Sequence, residues 1–500
     1  MTSGPQPAAA DNYKWKAFAS TAMVLFVMVM DFSVTFLALP TIADEFEVTL
    51  RAVTWVAIAS SLTVTAIMLP LGRLADITGR KKFLLAGIVL FAVGASLAAV
   101  APSLAMLILA RTIMAVGGAM GQVVVFAIVT AVFPPDERGK GLGMITTAVA
   151  VGAAAGPLVA GPMLQWFGWR SIFVFLAIPT ALAFVYALRV LDDARIGTTR
   201  RKAGEPFDWP GAVLSAAGIT AMVVTISNPF GLEWGSAPII GGATVAAALF
   251  SVFVVWELRV SAPMINLRFF SNSQFTWATA TRLLGFVGFA ATFFLIPVYA
   301  QSFLGFSQVA AAGVMFFGAL GMGTMGAVSG RLSDRFGFRR FTFGGLGTLI
   351  ATGLTFAFFG RETPMWFMMA ALFINGVGMG LWMAPNMNAT LATVDRSAYG
   401  SISAFLNLVR NVGMVLGQAV ATAVVAGVMA ARGVEVQLSQ LRAAAAGPAG
   451  DAFLDGWRTA FLALTCFTVA ALVAAVMTKD RVGREVQQPA GLPAPAATGD

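Results

Sequence analysis

The sequence predicts an all-α integral membrane protein, two six-helix bundles with two helices inserted between them, fourteen transmembrane helices in all. Three observations carry this. Of 500 residues, 58% are hydrophobic and only 11% charged, too apolar for a soluble chain that must cover itself with polar groups. Apolar runs of about 20 residues, each long enough to cross the hydrocarbon core as a helix, recur along almost the whole length. One hairpin sequence also occurs twice. Gly72-Arg73-Leu74-Ala75-Asp76, followed by Gly79-Arg80-Lys81-Lys82, returns in the same register as Gly330-Arg331-Leu332-Ser333-Asp334, followed by Gly337-Phe338-Arg339-Arg340. A repeat of this kind marks two similar membrane bundles joined in one chain, as in many secondary transporters.

The first apolar run, 18–40, follows a short tail, 1–17, that holds Lys14 and Lys16. It is too long for a signal peptide and lacks a small-residue cleavage site, so it reads as a permanent span. Spans at 53–73, 83–101, 104–130, 141–165 and 171–190 complete the first bundle, 18–190. A charged linker, 191–208, leads to two further spans, 209–228 and 238–257. The repeated hairpins lie 258 residues apart, more than a six-helix unit needs, and the two inserted spans (209–257) fill the surplus. Spans at 275–300, 309–330, 341–360, 365–390, 401–430 and 457–478 form the second bundle, 275–478. The loop 432–456 is rich in Ala and Gly with scattered charges and has room for a surface helix. The Pro/Ala-rich tail, 479–500, has the composition of a disordered segment.

Charge sets the orientation. Of 32 Lys and Arg, 23 fall in one set of alternating loops and tails, and only Arg51, Arg170, Arg361, Arg432, Arg442 and Arg458 in the other. The first set, with both termini, is therefore expected in the cytoplasm, and the protein as a multi-pass component of the cytoplasmic membrane. The net charge of +9 belongs to these flanks and calls for no nucleic-acid partner. With no histidine and the single Cys466 in an apolar run, neither a metal cluster nor an internal disulfide is expected. Gly321-Met322-Gly323-Thr324-Met325-Gly326 fits GxGxxG, but inside a membrane helix rather than after a strand. No Walker loop is present, so ATP is not the evident energy source, and no cofactor is expected.

Several stretches resemble the major facilitator superfamily, and more narrowly its fourteen-span drug:proton antiporter branch, over nearly all of residues 15–480. The repeated hairpin is similar to the superfamily motif between the second and third helices. Asp31-Phe32-Ser33-Val34-Thr35-Phe36-Leu37-Ala38-Leu39-Pro40 resembles the branch's first-helix motif. Leu107-Ile108-Leu109-Ala110-Arg111 looks like the start of the fourth-helix motif, although Met114-Ala115 stand where the family usually has Gln-Gly. Gly152-Ala153-Ala154-Ala155-Gly156-Pro157, continuing to Gly161, is similar to the antiporter motif of the fifth helix. Trp169-Arg170 with Phe173 resembles the start of the sixth helix, whose usual asparagine is missing before Pro179. Pro263-Met264-Ile265-Asn266-Leu267-Arg268 is like the segment after the inserted pair. The resemblance implies a monomeric, proton-driven exporter of small molecules, surrounded by lipid and working by alternating access.

The residues themselves give chemistry to this expectation. Asp31 lies mid-span, where a carboxylate costs about 2.5–3.5 kcal/mol unless it meets water or a partner. Burial and a nearby cation pull its proton affinity in opposite directions, which suits a proton carrier; the competing role is a fixed pair with Arg111. Gly152, Gly156, Pro157 and Gly161 make a narrow, bendable helix suited to a gate, or to ordinary close packing. Gly72, Asp76, Gly79 and Arg80, with Gly330, Asp334, Gly337, Arg339 and Arg340, sit at helix ends, as a latch between bundles or as loop anchors. Arg282 with Phe289, and Arg410 with Asn407, are intramembrane cations with no local acid. They serve either cargo, including an anionic metabolite, siderophore or lipid, or interhelical hydrogen bonds. Asn375, Trp382 and Asn386 share one helical face, for ligand or for core. A transport-inactive scaffold or sensor is the remaining alternative.

Overall fold

The computed structural model describes residues 7–134, 137–196, 208–260, 263–264, 267–394, 399–434 and 438–478. The tail 479–500 and most of the linker lie outside the described residues. The apolar runs are helices that begin at or before the predicted spans, because hydrogen-bonded turns extend into the flanking residues, while those ending at Ala99, Val298, Ala357 and Val476 stop two or three residues short of them. The first bundle comprises α1 (Pro7–Phe46), α2 (Leu50–Thr78), α3 (Arg80–Ala99), α4 (Leu104–Val132), α5 (Arg138–Phe167) and α6 (Arg170–Val190). The inserted pair is α7 (Trp209–Ser227) and α8 (Ala237–Arg259). The second bundle comprises α9 (Ser273–Val298), α10 (Gln308–Phe336), α11 (Phe338–Ala357), α12 (Met365–Leu391), α13 (Tyr399–Ala431) and α14 (Pro448–Val476). Twelve of these fourteen are long and apolar enough to cross a membrane by length and composition. The other two are glycine-rich: α5 packs on α1 and α10, and α11 packs on α12 and α14. Single-turn helices, Asp193–Ile196 and Leu438–Leu441, occupy part of the linker and of the 432–456 loop.

The two copies of the repeat turn alike. Gly79 (φ 96°) and Gly337 (φ 85°) each let one helix end and the next begin with a single residue in the left-handed region, where a side chain would be strained. At the other end of the molecule, Thr49, Ser103 and Ser307 cap α2, α4 and α10 by accepting from Ala52 N, Met106 N and Ala310 N. The Gly79 and Gly337 turns define what is called here the basic end.

Within a membrane, helices associate by close packing of small residues. A Cβ built on Gly117 of α4 would fall 2.4 Å from Gly87 O of α3, and one on Gly376 of α12 would fall 2.0 Å from Gly318 O of α10. The bundles meet along three lines, α2 on α13, α5 on α10, and α1 on α9. The largest hydrophobic core cluster takes residues from both bundles and fills the end opposite the basic one, with Phe36 against Phe294 and Gln301 Nε2 donating to Leu37 O at 2.8 Å. Toward the basic end each bundle has its own core. Among the described residues, a small cluster, Met68, Val123 and Leu408, bridges them there. The inserted pair stands outside this arrangement. Ile219 and Val223 of α7 pack against Ile58 of α2 and Val415 of α13, while α8 leaves Val245, Val252 and Leu258 exposed.

Candidate functional site

A cavity lies between the bundles, with about 1200 Å³ of space free of protein atoms, open solvent included. Among the described residues, its charged lining is Asp31 on α1, Arg111 on α4 and Arg410 on α13. Asp31 is 9% exposed and Arg111 3%, and Arg111 Nη1 donates to Asp31 Oδ1 at 2.5 Å. The two residues are thus brought together in the cavity wall, each removing from the other the cost of an isolated buried charge. The surroundings fix the pair. The Arg111 guanidinium lies 5.7 Å from the ring centre of Phe173 on α6, and Nη1 also contacts Met114 Sδ at 3.6 Å. Arg111 Nε is buried without a hydrogen-bond partner. Thr35 Oγ1 donates to the Asp31 carbonyl at 2.8 Å, which ties down the helix one turn away.

The rest of the wall is oily and adaptable. Phe32, Phe91, Phe286, Phe289 and Phe293 line it, and so do Met28, Met114, Met322, Met379, Met383 and Met414. Unbranched, polarizable methionines and flat rings accommodate varied apolar shapes. Polar positions are Ser33, Ser60, Ser61, Gln122 and Asn411. Sequence reasoning named Phe289 but missed the methionines, since an apolar residue does not stand out in an apolar helix. Met114, noted only as a departure from the expected Gln-Gly, turns out to touch Arg111.

The remaining candidates divide. Arg410 faces the cavity, with Nη2 donating to Asn411 Oδ1 at 3.3 Å. Arg282 stands behind the wall, 4% exposed, with Nε donating to Leu406 O at 2.9 Å and its guanidinium 5.3 Å from the Phe286 ring centre. Asn407 crosses between bundles, Nδ2 donating to Gln122 Oε1 at 3.4 Å. Asn375, Trp382 and Asn386 are not in the cavity wall. Asn375 Nδ2 donates to Thr352 Oγ1 of α11, Asn386 Nδ2 to Ala278 O of α9, and Trp382 is buried against Phe286 and Gly285.

On α5, a Cβ on Gly156 would collide with Ser33 Oγ and one on Gly152 would crowd Phe26 O, both on α1, while Gly161 meets Ala312 of α10. Pro157, between them, is buried. The small residues therefore let α5 touch both bundles at once. In the repeated hairpins, Arg80 Nη1 donates to Ala127 O at 3.3 Å and Ile196 O at 3.1 Å, and Arg339 Nη2 to Val476 O at 2.9 Å. Arg80 thus ties the first turn to α4 and to the short linker helix beyond α6, and Arg339 ties the second turn to the end of α14. Arg340 is exposed; Gly72 and Gly330 are half-buried; the side chains of Asp76 and Asp334 lie outside the described residues.

Residues 21–418 match the family model described as Major Facilitator Superfamily. The chain belongs to this superfamily. Its relatives are transporters. The riboflavin transporter RibZ of Clostridioides difficile is 28% identical over 407 residues, 81% of this chain and 87% of RibZ. The multidrug resistance protein Stp of Mycobacterium tuberculosis is 27% identical over 408 residues, 81% of this chain and 75% of Stp. The crystal structure of a bacterial homolog of the human lysosomal transporter Spinster, inward-facing and unoccupied, has the same fold. Its TM-score is 0.63 at 18% identity, covering 95% of this chain and 98% of that one. This superfamily member is a membrane transporter rather than an enzyme.

Proposed function

We propose that this transporter exports small amphiphilic molecules in exchange for protons, by alternating access, with its basic end and both termini in the cytoplasm. The observation that carries the reading is the Asp31–Arg111 pair, buried together in the wall of a cavity between two bundles. A proton taken up by Asp31 removes the charge that holds Arg111. The guanidinium is then left buried without its counter-ion, a state that favours rearrangement of the wall and release of cargo. Loss of the proton on the other side restores the pair. The oily lining suits cargo of varied shape, and the naming of Stp as a multidrug resistance protein supports export of that kind. The close packing of α5 on α1 and α10 supports a helix that shifts as the bundles rock. Each proton moved down a membrane potential yields about 2.3 kcal/mol per 100 mV, so one proton per cycle sustains a modest gradient.

The test is flux in proteoliposomes of purified protein under an imposed pH difference, with a luminal pH dye reporting proton movement when cargo is offered. Wild type is expected to couple the two flows. Asp31→Asn is expected to elute and melt as a folded protein but to lose pH-driven transport. Undiminished proton-driven flux through the variant would refute the role of Asp31.

A further inference from the structure

The charges of the cavity do not balance. Among the described residues its wall holds one acid and two cations, and the acid is already spoken for, since Asp31 is bonded to Arg111. Arg410 is left facing the cavity, with Asn411 as its hydrogen-bond partner and, among the described residues, no carboxylate within salt-bridge distance. A second guanidinium stands close behind it. Arg282 bonds Leu406 O, one helical turn before Arg410 on α13, and its Nη1 is buried with no hydrogen-bond partner. Two neighbouring cations in a membrane, without an acid, repel each other and lack the counter-charge that burial demands. An anion in the cavity supplies it.

The polar groups around Arg410 are placed to help. Asn411 sits beside it, and Asn407 on the preceding turn of α13 meets Gln122 of α4 across the bundle seam. The amides in the wall, Gln122 and Asn411, can donate to the oxygens of an anionic group while Arg410 offers a charge-assisted, two-pronged contact. Beyond them the wall is apolar and flat-sided, with Phe289, Phe293, Met322, Met383 and Met414. We infer that the cargo class of this cavity is the amphiphilic organic anion. It is a molecule with a carboxylate, sulfonate or phosphate-ester head held by Arg410 and an aromatic or alkyl body held by the phenylalanines and methionines. The inference rests on reading this cavity as the cargo site. Arg282 acts through Arg410, as a positioning residue that keeps the local field positive.

The experiment compares two probes of one shape and opposite permanent charge, naphthalene-1-sulfonate and N,N,N-trimethyl-1-naphthylammonium. Binding to purified full-length protein is titrated calorimetrically at one fixed pH, with no gradient. Wild type is expected to bind the sulfonate at least about ten-fold more tightly, the scale of one charge-assisted hydrogen bond. Arg410→Gln is expected to lose that preference, Arg410→Lys to keep its sign at reduced strength, and Arg282→Gln to weaken sulfonate binding less than Arg410→Gln does. Equal or tighter binding of the ammonium by wild type overturns the assignment, and this comparison needs no variant to fold. Unchanged sulfonate affinity in a folded Arg410→Gln overturns it as well. Proton coupling is not exercised in this measurement. Persistent pH-driven flux in Asp31→Asn therefore defeats the coupling scheme alone, and a cation preference defeats the cargo class alone.

Discussion

A carboxylate and a guanidinium bonded to each other inside a membrane are each expensive to leave behind. Replacing Arg111 by Gln strands the Asp31 charge, and breaking a buried pair from one side costs about 3–5 kcal/mol. Replacing both, Arg111→Gln with Asp31→Asn, removes the stranded charge. The expected outcome is a thermal denaturation series in detergent in which the double variant melts above Arg111→Gln alone; additive losses would show that the pair is not coupled. Asp31 and Arg111 were legible in the sequence because charge is conspicuous in an apolar run. Their partnership was legible as well, since so few ionisable groups are available. The division between Arg410 and Arg282 was not. Both lie mid-span, and helical periodicity gives a face without saying which neighbour that face meets. The same reason sent Asn375, Trp382 and Asn386 to helix contacts rather than to the cavity wall.

At the level of helices, glycine sets how closely axes approach. Gly376 of α12 lies against the backbone of α10 at Gly318 and Met322, so an added methyl group meets main chain that cannot rotate away. Gly376→Ala is expected to force the two helices apart at a cost of about 1–3 kcal/mol, seen as a lower melting temperature. A melting temperature equal to wild type would contradict the packing. The spans were largely readable from hydropathy, since a bilayer admits little else than continuous helix. Their ends were not, because capping by Thr49 or Ser307 and turns at Gly79 and Gly337 depend on local hydrogen bonds and backbone angles rather than on apolarity. The π-type turn Tyr299–Phe303 that prolongs α9 also escaped the sequence, which carries no periodic sign of one residue too many in a turn.

For the molecule as a whole, the two halves are locked by one shared core at one end and by a slight bridge at the other. Transport by rocking requires the shared core to part. Gly161 of α5 and Ala312 of α10 face each other across this junction, with a built Cβ 2.6 Å from the Ala312 Cβ. A small relaxation brings two cysteines there to the spacing of a disulfide, about 3.8 Å between Cβ atoms. Gly161→Cys with Ala312→Cys, in a Cys466→Ser background, is expected to be inactive when oxidised and to recover on reduction. Full flux through the oxidised form would mean that this junction never opens. The two-bundle plan was visible in the repeated hairpin, but the seat of the inserted pair was not, for its sequence is apolar on all sides. That seat has a further effect. The hairpin of α7 and α8 lies over the flank where α2 meets α13 and packs on neither α5 nor α10. One flank of the bundle junction is thus covered by an extra hairpin while the α5–α10 flank is not, so the two sides of the molecule turn different surfaces to the surrounding lipid.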